Sequence, residues 1–181
     1  ALEHGHETLS KKAESQDICF IPNNDYRTFL AEQGLQIEPG NYTDNTGKVL
    51  GKHCGFCNYT IGQRKGLGIA LGSPKHVLKI DAQTNTVVLG DHDELYTCNV
   101  QAGDVRVRDI QWLLDSPQVT ARIRYKSPAV AATLQITPMV NNQSPILNLH
   151  FDQPVWGVTP GQSLVIYKDG LLVGGGIIQK E

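Results

Sequence analysis

A chain of 181 residues has room for one large domain or two small ones, enough to bury a real core. Its 16 basic and 18 acidic residues leave a formal charge of −2, which excludes bulk polycation binding of the kind a basic tail performs. A local basic face stays open, because phosphate contacts need only a few well-placed cations.

Residues 1–20 are polar and mixed. No run in the chain is long and apolar enough to span a bilayer, and the first residues lack the apolar core of a signal peptide. The opening Ala1-Leu2-Glu3-His4 has no initiator methionine and reads as the middle of something longer. With no secretory signal, Cys19, Cys54, Cys57 and Cys98 are expected as free thiols in a reducing cytosol, away from any membrane. Pro22, Asn23 and Asn24 supply a helix start, Tyr26, Phe29 and Leu30 recur at helical spacing, and Gly34 supplies a stop. A short helix is therefore expected over about 24–33. Pro39-Gly40 and Asn45-Thr46-Gly47 are turn formers, followed by the apolar pair Val49-Leu50. Residues 1–72 read as a small mixed α/β central domain.

From Lys75 onward the pattern becomes strand after strand. Segments 76–80 and 86–89 flank a polar turn, and 105–108, 120–125 and 147–151 alternate with period two. Ser163–Lys168, then Asp169-Gly170, then Leu171–Ile178 make the clearest hairpin, since Asp-Gly fits a type I′ turn. Glycine (18) and proline (9) are abundant, as such a fold requires. The expectation is a mainly β chain, with residues 73–181 forming an antiparallel β-barrel or a sandwich.

Four features could carry chemistry. Cys19 sits in Ser15-Gln16-Asp17-Ile18-Cys19-Phe20-Ile21, with Lys11 and Lys12 near enough in sequence to favour a thiolate. A free cysteine is by default a small buried hydrophobe. Gly62-Gln63-Arg64-Lys65-Gly66-Leu67-Gly68 surrounds two cations with three glycines, which allow close backbone approach to a ligand, and arginine offers a fork suited to phosphate. On 120–125, Thr120, Arg122 and Arg124 share a face, and Arg106 and Arg108 make a similar stripe on a strand that could lie near. Solvent-facing arginines are the ordinary explanation. Cys54-Gly55-Phe56-Cys57, beside His53, suggests zinc or a redox dithiol. A structural zinc site needs four ligands, and a thioredoxin-type motif needs a βαβ frame that the pattern lacks. The pair is expected to be a bystander, Cys98 a core residue, and no metal site is expected.

The Cys19 segment and the Tyr59–Gly68 loop closely resemble those of the bacterial tRNA-specific 2-thiouridylases, and the resemblance runs through nearly the whole chain. It implies a tRNA-modifying sulfurtransferase that 2-thiolates the wobble uridine, with Cys19 as the catalytic residue carrying a persulfide. It implies tRNA contacts at Gln63, Arg64 and Lys65, at Arg124-Tyr125, and at Gln162 in Thr159-Pro160-Gly161-Gln162. ATP with Mg would be bound by an N-terminal ATP pyrophosphatase domain, whose glycine-rich phosphate loop this chain lacks. No cofactor is expected in the chain itself. A sulfur-donor protein would load Cys19, and a second cysteine in the N-terminal domain would close a disulfide during turnover. The alternative is a non-catalytic β-barrel that grips RNA. A small zinc or redox protein built on Cys54 and Cys57 is a third reading.

Overall fold

The computed structural model describes residue 21 and residues 25–35, 37–125, 127–137 and 145–179. Two compact units make up the chain, residues 1–38 and 39–181.

The first unit contains helix α1, Tyr26–Glu32. Its start is set by Asp25, whose carboxylate accepts from the Thr28 N–H at 3.1 Å and the Thr28 hydroxyl at 2.6 Å. Its end is a left-handed Gly34 (φ +83°), with Leu35 N–H donating to Leu30 O and Gly34 N–H to Ala31 O. The expected helix is present. It begins one step after the asparagines, because the aspartate side chain reaches the free backbone donors.

The second unit holds a four-stranded sheet and a closed barrel. Strands β1 (Gly40–Thr43), β2 (Val49–His53), β3 (His76–Asp81) and β4 (Thr86–Gly90) lie in the order β2-β1-β4-β3. β1 runs parallel to β4, and the other pairs are antiparallel. The turn formers at 45–47 close the β1–β2 hairpin: Asp44 Oδ1 accepts from Thr46 N–H, Thr46 Oγ1 and Lys48 N–H. Sequence patterning missed both strands, which carry polar residues such as Asn41 and Lys52. The segments at 76–80 and 86–89, read as the first barrel strands, are strands but do not enter the barrel. They complete this sheet, which therefore draws on residues either side of 72. Tyr42, Val77, Val87 and Leu89 are fully buried beneath it.

The barrel is antiparallel throughout. Its strands are β5 (Tyr96–Val107), β6 (Gln118–Arg122), β7 (Val130–Thr137), β8 (Ile146–Trp156), β9 (Ser163–Lys168) and β10 (Leu171–Ile178), closed in the order β10-β5-β8-β7-β6-β9. Alternate residues such as Leu147, Leu149, Phe151, Leu164 and Ile166 fill the interior. The β9–β10 turn is the expected one, with Asp169 at φ +49° and Gly170 at φ +77°. Closure depends on Gly174-Gly175-Gly176: a Cβ on Gly175 would stand 2.1 Å from Leu164 O and one on Gly176 2.4 Å from Gly103 O. A short helix α2, Ile110–Asp115, links β5 to β6 and was not anticipated.

Two strand expectations need correcting. The run 120–125 leaves the barrel after Arg122, because Ser127 closes a turn on Arg124 through Ser127 N–H to Arg124 O and Arg124 N–H to Ser127 Oγ. Pro128 follows and has no N–H to continue a ladder. Arg106 lies on β5 and Arg108 just past its end, three places round a six-stranded barrel from β6, and so on the far side from Arg122.

Candidate nucleic-acid interface

The loop that begins at Thr60 is stitched to β3 by two backbone hydrogen bonds, Gly62 N–H to Val77 O at 2.8 Å and Val77 N–H to Gln63 O at 2.9 Å. Gln63 then spends its side chain inside the loop: Oε1 accepts from Thr60 N–H and Nε2 donates to Lys65 O, each at 3.0 Å. That leaves Arg64 and Lys65 exposed on a braced turn. Arg64 also borders an open concavity of about 490 Å³ that runs along Gly66–Leu71 to Lys75. Lys75 is tied to Asp91 at 2.9 Å.

Trp156, the last residue of β8, is the meeting point. A Cβ on Gly62 (φ +86°) would lie 2.6 Å from its Cη2. His92 stacks on it with centroids 5.8 Å apart, and the Arg124 guanidinium carbon stands 5.2 Å from its ring centre. His76 and Tyr96 flank His92 edge-on at 5.2 and 5.5 Å. Burial holds the His76 imidazole below the ordinary histidine value, helped by the nearby charges of His92 and Arg64.

Arg124 faces inward. Its Nε and Nη2 donate to Gly157 O at 3.1 and 2.6 Å, and Nη2 also reaches Thr159 Oγ1 at 2.9 Å. Burial pulls its guanidinium below its usual range. The turn it clamps continues to Gln162, whose N–H donates to Thr159 O and whose carbonyl accepts from Ile178 N–H. The Gln162 side chain is exposed, and Tyr125 is 76% exposed. Trp156 thus meets Gly62, which Gln63, Arg64 and Lys65 follow, and Arg124, which Tyr125 follows and which holds the Gly157–Thr159 turn that leads to Gln162. Gln63 and Arg124 are structural braces, while Arg64, Lys65, Tyr125 and Gln162 are presented outward. Sequence reasoning missed Trp156, His92, His76 and Thr159. An indole between a histidine and an arginine leaves no periodic signal, because its partners come from three separate segments.

Cys19 lies outside the described residues. The described cysteines, Cys54, Cys57 and Cys98, are free thiols. Cys98 is partly buried on β5. Among the described residues no three His, Cys, Asp or Glu side chains converge to hold a metal ion. No described helix is long and apolar enough to cross a membrane.

Two family profiles match this architecture. The one described as "tRNA methyl transferase PRC-barrel domain" covers residues 27–91, and "Aminomethyltransferase beta-barrel domain" covers 102–178. The first ends after β4 and the second begins within β5, so the two profiles divide the chain into a sheet module and a barrel module. The chain corresponds to the C-terminal part of the tRNA-specific 2-thiouridylase family. It is 45% identical over 172 residues to the tRNA-specific 2-thiouridylase MnmA of Acetivibrio thermocellus, covering 94% of this chain and 46% of that protein. The enzyme of the same name from Natranaerobius thermophilus is 44% identical over 95% of this chain and 46% of its own length. That of Desulfitobacterium hafniense is 40% identical over 98% and 50%. The chain spans about half the length of the curated relatives it matches.

Proposed function

We propose that this chain is the tRNA-holding part of a cytoplasmic enzyme that 2-thiolates the wobble uridine of tRNA. The observation that carries the proposal is that Gly62 of the basic loop and Arg124 both meet Trp156, while Arg124 also holds the turn that leads through Thr159 to Gln162. In this reading the three segments would supply a local basic and polar surface on a protein whose overall charge is slightly negative. Arg64 and Lys65 would contact phosphates, Tyr125 would stack on an unpaired base, and Gln162 would reach a base edge or ribose hydroxyl.

In this reading Cys19 carries a persulfide received from a sulfur-donor protein. ATP is consumed on a separate domain to turn the uridine C2 oxygen into a leaving group. The outer persulfide sulfur then bonds to C2 as that group departs. A second thiolate breaks the remaining S–S bond and leaves a disulfide with Cys19. The glycine-rich loop of this chain does not fit ATP. It is followed by β3 and opens no helix, so it lacks the strand–loop–helix frame that cradles a triphosphate.

Sulfur incorporation into tRNA tests the proposal. The chain alone should incorporate none, and a protein with the ATP pyrophosphatase domain restored should be active. Cys19→Ser in that protein should abolish thiolation while leaving tRNA affinity intact. Retained thiolation would remove the catalytic role and leave the non-catalytic RNA-binding reading.

A further inference from the structure

Cys54-Gly55-Phe56-Cys57 is the one motif that the RNA-facing surface leaves unused. β2 ends at His53 and the chain bends at Cys54. Gly55 follows at φ +112°, a conformation that other residues avoid, and its N–H donates to His53 Nδ1 at 3.0 Å. A single 3₁₀ turn, Phe56–Asn58, then carries Cys57. Cys54 is exposed and Cys57 partly buried, so two thiols of unequal access share one short turn.

The surroundings of Cys54 favour sulfur chemistry. The Tyr59 hydroxyl lies 3.5 Å from Cys54 Sγ, and Asn58 Nδ2 lies 3.7 Å from it while donating to the Cys54 carbonyl at 2.9 Å. Both groups can donate to a sulfur that carries charge as it attacks or departs. Tyr59 is fixed by ring contacts to Tyr42 and His53, each at 5.5 Å. Burial pushes its phenol upward, so it stays an O–H donor. Among the described residues no third ligand joins the two thiols, and His53 Nδ1 accepts from Gly55 N–H.

We propose that Cys54 and Cys57 form a redox-active dithiol that exchanges with low-molecular-weight disulfides, Cys54 attacking and Cys57 resolving. The Cys54 thiol loses its proton to solvent and its sulfur displaces one half of the disulfide. The S–S bond of the reagent breaks, a mixed disulfide forms on Cys54, and the departing thiolate takes up a proton. The Cys57 thiolate next attacks Cys54 Sγ, forming the Cys54–Cys57 bond and releasing the second half as a thiol. Two protein thiols are oxidised, one small disulfide is reduced to two thiols, and nothing else is required. This site goes beyond the tRNA-holding function and stands or falls without it.

The test incubates the folded chain with glutathione disulfide, quenches by alkylation, and maps peptides by mass, which separates this pair from Cys19 and Cys98. The wild type should yield a Cys54–Cys57 disulfide with little glutathione retained. Cys57→Ser should accumulate glutathione on Cys54, whereas Cys54→Ser should label Cys57 more slowly, by on the order of tenfold. Three results would overturn the assignment. One is wild-type protein that keeps glutathione on Cys54 without closing the ring. Another is equal labelling of the two serine variants. The third is stoichiometric zinc in the purified chain that shields both thiols from alkylation.

Discussion

A side chain on residue 62 would put its Cβ 2.6 Å from Cη2 of Trp156, so the glycine of the basic loop and the last residue of β8 are fitted to one another. This contact joins the sheet side of the unit to the barrel side. Gly62→Ala should therefore destabilise by roughly 2–3 kcal/mol, combining the strain of a positive φ with steric overlap. Trp156→Ala alone should also destabilise. The double variant should lose less than the sum, with a coupling of about 1 kcal/mol in urea unfolding. Strict additivity would mean the ring simply moves aside.

The two arginines of the site should separate by experiment. Arg124 bonds Gly157 O and Thr159 Oγ1, and lysine cannot reproduce that fork. Arg124→Lys should cost roughly 1–3 kcal/mol of stability. Arg64 is exposed. Arg64→Ala should leave the unfolding midpoint unchanged, weaken tRNA binding, and lower the slope of log affinity against log salt by roughly one. A loss of stability in Arg64→Ala equal to that in Arg124→Lys would erase the distinction between brace and contact.

How much of this was legible from residues depends on the range of the forces involved. The β9–β10 hairpin and helix α1 were readable because their determinants are local: Asp169-Gly170 in the turn and Gly34 at the helix end, although the cap at the start is Asp25 rather than the asparagines before it. β1 was not, because its parallel partner β4 is distant in sequence and Asn41 breaks the alternation. Arg124 was read as an outward residue on a strand, since nothing nearby announces that Ser127 will turn the chain and Gly157 will claim the guanidinium. The candidate RNA contacts were named from short motifs, yet the meeting of Gly62, His92 and Arg124 at Trp156 belongs to the tertiary fold alone.

Histidine burial should make stability depend on pH. His53 and His76 are both held below the ordinary value of 6.5, His53 by burial and then the Lys52 charge, His76 by burial and then His92 and Arg64. In this range the unfolded chain binds more protons than the native one, so stability rises with pH. The contribution is complete above the unfolded value and is lost as pH falls through the depressed native values. A decline on the order of 1 kcal/mol is expected between about pH 7.5 and about pH 5.5. Asp44, lowered chiefly by its Thr46 hydrogen bond, acts only in a more acidic window. Urea midpoints across this range should flatten in a His53→Gln, His76→Gln double variant. A slope that survives the double substitution would assign the effect elsewhere.

Lys168 offers a last test, because it separates barrel stability from RNA contact. It is almost fully buried at the end of β9, where Nζ donates to Trp112 O at 2.9 Å and Ser116 O at 2.6 Å and lies 4.9 Å from the Trp112 ring centre. A cation at the C-terminal end of α2 meets the helix carbonyls that have no partner within the helix. Lys168→Met keeps most of the apolar stem and removes the charge and both donors. It should cost roughly 2–4 kcal/mol in urea unfolding, since two carbonyls are left without their donor. tRNA affinity measured well below the unfolding midpoint should stay within about twofold, because nothing around Trp156 is touched. A large loss of affinity in a variant that is still folded would place this end of the barrel in the RNA-contacting surface.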